Sequence, residues 1–169
     1  MPKSFEKEFV SFCENQGFEV NLNQINVIKK LEEYYQINFK SFLLKLFSKK
    51  SSQKCFYLYG DVGVGKTMIL NFFFDQLDKR KLRKHFNEFM LNFHDFAHER
   101  KEKSEENIIN LFVKDLKSKA SLIYFDEFQV TNIVDAMILG KLFDQIFKED
   151  IKIIVTSNTK ISELYKDGL

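Results

Sequence analysis

The sequence predicts an α/β fold built on a parallel sheet, and three observations predict it. Short apolar runs alternate with amphipathic stretches, a glycine-rich turn joins one such run to the next amphipathic stretch, and an acidic pair ends a later apolar run. At 169 residues the chain is long enough for one domain with a substantial core and too short for two comfortable ones.

Ile25, Ile28, Leu31 and Tyr35, then Phe39, Phe42, Leu43, Leu46 and Phe47, recur at helical spacing, so two short helices or one bent helix should lead the domain. The first twenty residues show no clear period. Polar Lys49 to Ser52 breaks the pattern, and the aromatic run Cys55 to Tyr59 reads as a buried strand ending at Gly60. Ile69, Phe72, Phe73 and Leu77 give a helix closed by the charged stretch Asp78 to Lys84. A weaker strand is expected near Arg83 to Asn87, then a helix through Met90 to His98 and a charged turn from Glu99 to Glu106.

Ile108, Ile109, Phe112, Val113 and Leu116 mark another helix, and Ser121 to Phe125 a third strand. Val134, Met137, Ile138, Leu142 and Ile146 form a further helix, and the β-branched run Ile151 to Thr156 a fourth strand. Residues 1–50 therefore read as a helical lead-in and 51–169 as the core. The abundant Phe, 20 residues with no Trp, reads as core filling.

Composition excludes several classes. With 26 Lys and Arg against 24 Asp and Glu, the net charge of +2 creates no field that would draw the chain onto nucleic acid. No nucleic-acid partner is expected, and the basic stretch Lys79 to Lys84 reads as a solvated turn with no aromatic stacking platform beside it. Cys13 and Cys55 form no CxxC pair, which fits reduced thiols in a cytosol. No run of about 18 apolar residues occurs and MPKSFEKEFV lacks a signal's apolar centre, so a membrane span is not expected and the cytoplasm is the expected compartment. His94 and His98 stand four apart on a predicted helix, but no Glu follows His94 as HExxH requires, so solvent-facing or packing roles are preferred over a metal site.

Gly60-Asp61-Val62-Gly63-Val64-Gly65-Lys66-Thr67 matches GxxxxGK[ST] in full, between a predicted strand and a predicted helix. Glycines let the backbone curl so that successive N–H groups and the helix N-terminus face phosphates. Lys66 is placed for the β- and γ-phosphates of ATP, and the Thr67 hydroxyl for a Mg²⁺ ion bridging them.

Leu122 to Glu127 supplies the partner element. Asp126 would hold Mg²⁺, mostly through its waters, and Glu127 would orient or deprotonate the water attacking the γ-phosphate. The competing reading of Asp126-Glu127 is an acidic helix start. Asn158, just after the fourth strand, is placed to hydrogen-bond the γ-phosphate or the attacking water, or else Ser157 or Asn158 caps a short helix. Gln24 is a candidate for the adenine pocket. A guanine-reading NKxD motif is missing from Asn158-Thr159-Lys160-Ile161.

Taken together, these segments resemble the bacterial cell-division ATPase ZapE and its mitochondrial relatives, a branch of the AAA+ ATPases. The resemblance runs from about Gln24 to Leu169. Its most specific part is Phe125-Asp126-Glu127-Phe128-Gln129-Val130-Thr131 with Asp135-Ala136-Met137-Ile138-Leu139, supported by Tyr59 to Gly63, His85-Phe86, Glu88-Phe89-Met90, His94, Thr156-Ser157-Asn158 and Leu164 to Leu169. Asn87 replaces an expected His, Asn132 an expected Asp, and the prolines usual around Thr159 to Ser162 are missing.

The resemblance implies a P-loop three-layer sandwich of AAA+ type, here apparently without the last strand and the C-terminal lid, which would leave the P-loop strand at a sheet edge. It implies a first sensor at Asn158, a homo-oligomer when full length, and a cytoplasmic ATPase that remodels a protein partner, in bacteria polymers of the tubulin-like FtsZ. The rival readings are a DNA-linked ATPase, since Asp126-Glu127-Phe128-Gln129 resembles a DExQ box, and a nucleotide-binding scaffold that does not hydrolyse.

Overall fold

A computed structural model describes residues 4–39, 53–100 and 103–164. Along the chain it contains helices α1 (Phe5–Gln16) and α2 (Leu22–Phe39), strand β1 (Cys55–Tyr59) and helix α3 (Lys66–Asp75). Then come β2 (Lys81–His85), α4 (Phe86–His98), α5 (Glu105–Lys119), β3 (Leu122–Asp126), α6 (Ile133–Lys148), β4 (Lys152–Ser157) and a 3₁₀ turn at Ile161–Glu163. The chain divides into two compact units. One comprises residues through Phe56 together with Gly63–Asp78, the other Tyr57–Val62 and the residues from Lys79 on.

The first unit corrects the reading of the N-terminus. Where no period was expected, α1 buries Phe5, Phe9 and Cys13, one residue per turn. Its apolar stripe is hard to see because a cysteine carries one of its three positions. The rings of Phe9 and Phe12 pack against Phe72 with centroids 5.2 Å apart in each case, and Phe5 meets Phe73 at 5.4 Å. Gly17 ends the helix at φ 70°, and Phe18 N–H returns to the Cys13 carbonyl at 2.9 Å. A glycine adopts that conformation without the steric cost a side chain brings.

Helix α2 starts where Asn21 accepts the Asn23 N–H on its side chain at 2.8 Å; it buries Ile28 and Leu31 as the spacing predicted, but Tyr34 in place of Tyr35, which with Ile25 is only half-buried. Phe42, Leu43, Leu46 and Phe47, like Tyr165 to Leu169, lie outside the described residues.

The second unit carries the sheet, in strand order β1-β4-β3-β2. Strands β2 and β3 pair in parallel with Arg83 opposite Tyr124 and His85 opposite Asp126, and β3 pairs in parallel with β4, Tyr124 opposite Ile154. Every residue of β3 and β4 is buried. Strand β2 is displaced by two residues from its predicted position, and α4 begins directly at Phe86. The basic stretch Lys79 to Lys84 is therefore not a solvated turn, since its last four residues are strand. No apolar alternation marks KLRKH, and pairing with β3 rather than propensity makes it extended.

One face of the sheet, carrying Ile123, Phe125, Ile153 and Val155, packs with α4, α5 and α6 into a single apolar cluster. Aromatic rings fill it: Phe89 lies 4.6 Å from Phe125 and 5.6 Å from Phe112, and Phe86 lies 4.3 Å from Phe128. Such pairs add about 0.5–1.5 kcal/mol to what burial alone contributes. Helix α6 is capped by Asn132, whose side chain accepts the Val134 N–H at 2.8 Å, so Asn does here the work of the expected Asp. No helix among the described residues is long and apolar enough to cross a membrane.

Phe89 stands at the centre of this cluster, so Phe89→Ala is expected to lower unfolding free energy by about 3–5 kcal/mol. Urea denaturation followed by far-ultraviolet circular dichroism measures it, and an unshifted midpoint would refute the assignment of this core.

Candidate functional site

The glycine-rich loop runs from the end of β1 into α3. Gly60 N–H donates to the Ser157 carbonyl at 3.3 Å, tying the start of the loop to the end of β4. Gly63 and Gly65 have φ of 85° and 86°, the left-handed region that the motif's glycines allow. Gly65 is constrained further, because a Cβ there would stand 2.8 Å from Gln24 Nε2. The same amide donates to the Val64 carbonyl at 3.2 Å, so Gln24, the sequence candidate for a base pocket, is seen to brace the loop's backbone.

Gly65 caps α3, and Lys66 and Thr67 form its first turn, which contains no acidic residue. The first turn thus sets a lysine beside the positive end of the helix and adds no acid of its own, which suits an anion. Lys66 is half-buried and Thr67 is exposed. Asp61, Val62 and Val64 are exposed along the loop.

The acidic pair sits at the carboxyl end of β3, the end of a parallel sheet where ligands gather. Asp126 is buried, and both of its oxygens are engaged. Thr156 Oγ1 donates to Oδ1 at 2.6 Å and Arg83 Nη2 donates to Oδ2 at 2.6 Å. Arg83 also lies over the Tyr124 ring, 5.2 Å from its centroid. Burial alone would push the Asp126 carboxyl up, but the hydrogen bonds from Thr156 and Arg83 and the charge of Arg83 hold the group below its ordinary range. For Tyr124 burial dominates and raises the phenol.

Glu127 differs in every respect. It is exposed, its φ is 54°, and its N–H donates to Thr156 Oγ1 at 3.3 Å. Its carboxylate lies 3.6 Å from His85 Nδ1. A side chain swung out of the strand this way reaches water, while the preceding carboxylate stays in the protein. Asn158 is exposed immediately after β4. Neither Ser157 nor Asn158 caps the following 3₁₀ turn, whose cap is Lys160. Instead Ser157 Oγ donates to the Phe128 carbonyl at 2.7 Å and accepts the Thr159 N–H at 3.0 Å, which leaves the turn-forming work to Ser157.

Three participants were not picked out as site residues from the sequence. Arg83 and Thr156 hold Asp126, and His85 faces Glu127; alternation along β2 puts Arg83 and His85 on one face, but only the register against β3 brings them to the carboxylates. His94, read as solvent-facing or packing, bonds Asp135 through Nε2 at 2.6 Å and so links α4 to α6. Among the described residues no group of three or more His, Cys, Asp or Glu is arranged to hold a metal by itself.

Residues 10–169 match the family model described as AFG1-like ATPase. The chain belongs to the AFG1-like ATPase family. Among AFG1-like relatives and their neighbours, it is 39% identical over 132 residues to "Lactation elevated protein 1 homolog B" of Danio rerio, covering 72% of this chain and 26% of that one. It is 34% identical over 131 residues to "Cell division protein ZapE" of Escherichia coli K12, covering 74% of this chain and 34% of the relative. The chain therefore spans about a quarter to a third of the length of these relatives. Among solved structures the fold is shared with DnaI, at TM-score 0.54 and 19% identity over 90% of this chain and 78% of the other. The likeness to DnaI is one of α/β fold.

Because the folded carboxyl of Asp126 titrates below the ordinary 3.8, its contribution to stability is present above that value and is lost as pH falls through the lower folded one. Asp126→Asn is expected to destabilise the fold at pH 7 by about 1–3 kcal/mol and to flatten the acid limb of stability below about pH 4. Denaturant melts from pH 7 to pH 3 test this; equal acid limbs in the two proteins would show that Asp126 is not held as described.

Proposed function

We propose that this chain is the nucleotide-binding part of a Mg²⁺-dependent ATPase that couples ATP turnover to remodelling of a protein partner. The observation that carries the reading is the phosphate loop: two left-handed glycines open a helix with no acidic residue in its first turn, and Lys66 and Thr67 lie in that turn. Gly60, Asp61, Val62, Gly63, Val64 and Gly65 present backbone to the phosphates, and Lys66 neutralises the β- and γ-oxygens.

The donors suit magnesium, a hard cation that takes oxygen ligands and keeps several waters. Thr67 offers a hydroxyl, and each Asp126 oxygen retains a lone pair beyond those used by Thr156 and Arg83. When bound, the metal neutralises charge developing on the phosphates. Glu127, exposed and beyond the strand, takes the proton of the attacking water or orients it, and Asn158 hydrogen-bonds that water or the γ-phosphate. Asp126 is oriented in advance by Thr156 and Arg83, and groups oriented in advance are the effective ones as charge builds.

We take residues 1–50 as the helical lead-in and 51–169 as the ATPase core, working in the cytoplasm and, when full length, as a homo-oligomer. A relative named as a cell division protein supports a division partner, and the resemblance implies FtsZ polymers as the substrate of remodelling.

Thermal unfolding with Mg-ATP at about a hundredfold excess over its dissociation constant should show roughly 2.7 kcal/mol of added stability. Lys66→Ala should lose that shift, and a folded parent that never shifts would overturn the nucleotide site. Glu127→Gln should keep the shift and cut turnover by about 10²-fold or more. Undiminished turnover would remove Glu127 from the mechanism, stimulation of turnover by single-stranded DNA would replace the protein-remodelling reading with a DNA-linked one, and binding without turnover in the parent would leave a scaffold.

A further inference from the structure

The carboxylate assigned to the metal is already held by a cation of the protein. Arg83 sits opposite Tyr124 in the sheet, two pairs short of Asp126, and its guanidinium reaches forward over the Tyr124 ring to Oδ2. The two partners are unequal in exposure. The Asp126 side chain is 4% exposed and the Arg83 side chain 38%.

A buried carboxylate without a countercharge is costly, so some cation must accompany Asp126 in every state of the site. Thr156 fixes one oxygen from the neighbouring central strand and Arg83 occupies the other. Arg83, with its outer part in water, is the member of the trio that can move aside without being desolvated. We propose that Arg83 is a positioning residue that stands in for the magnesium charge at Asp126 and competes with the metal, so that it sets the Mg²⁺ concentration at which the nucleotide site fills. This rests on the reading of Asp126 as part of a Mg-nucleotide site.

Two consequences follow from the charges. In the empty site Arg83 keeps the carboxylate aimed, so the metal's water meets an oriented acceptor rather than one that must be rebuilt. As the metal approaches, the guanidinium repels it, and affinity for Mg²⁺ is lower than the carboxylate alone would give. A purely structural brace would lack the second effect.

The experiment uses the whole chain, ATP at a fixed saturating concentration, and MgCl₂ as the titrant. Thermal unfolding and the fluorescence of N-methylanthraniloyl-ATP report binding. Arg83→Gln is expected to be less stable than the parent without Mg²⁺ and to reach half-saturation at about tenfold lower Mg²⁺. Arg83→Lys, which keeps the charge, should stay within about twofold of the parent.

A half-saturating Mg²⁺ concentration unmoved or raised in Arg83→Gln would overturn the proposal, as would Arg83→Lys behaving like Arg83→Gln. If Arg83→Gln does not fold alone, rescue of its folding by Mg-ATP supports the competition and failure of rescue overturns it. A parent that responds to neither ATP nor Mg²⁺ overturns the nucleotide site itself and this inference with it, whereas a responsive parent matched by Arg83→Gln overturns the inference only.

Discussion

A carboxylate placed at the end of a fully buried strand must be given partners, and the arrangement around Asp126 follows from that requirement. Thr156 reaches it from β4 and Arg83 from β2, so its two oxygens pin the carboxyl ends of three strands in one register. The same Thr156 accepts the Glu127 N–H on its hydroxyl and the Phe128 N–H on its carbonyl. One threonine thus orients the buried carboxylate and turns the chain so that the next carboxylate leaves the protein. Tyr57 extends the bracing, its hydroxyl donating to the Thr159 carbonyl at 2.7 Å.

The glycine-rich loop obeys a different constraint. Its residues Asp61 to Val64 are exposed, so its order does not come from its own packing. Gln24 and the two left-handed glycines supply that order on one side of the loop, and the bond from Gly60 to Ser157 on the other. Loops held in this way by rigid elements are where binding chemistry is usually found. The aromatic cluster that β3 forms with α4, α5 and α6 packs one face of the strand that ends in Asp126.

Much of this was legible in the sequence because it depends on short-range pattern. The loop motif, the buried runs of β3 and β4, and the helices at Ile108 to Leu116 and Val134 to Ile146 declare themselves by spacing, although Val134 and Met137 of the second helix are exposed and only Leu142 and Ile146 are buried. What was not legible depends on register or on atypical residues. Strand β2 reads KLRKH, and only its pairing with β3 makes it a strand and places Arg83 at Asp126. Helix α1 hides its stripe behind Cys13, and the link from His94 to Asp135 joins residues 41 positions apart on separate helices.

The left-handed backbone of Glu127 has a consequence for how such a site can change over time. At φ 54° a residue with a Cβ is disfavoured, and Gly or Asn would sit there more comfortably. Drift governed by folding alone would therefore carry this position toward residues without an acidic group. Loss of the acid at this position would come with a more relaxed backbone rather than a weaker fold.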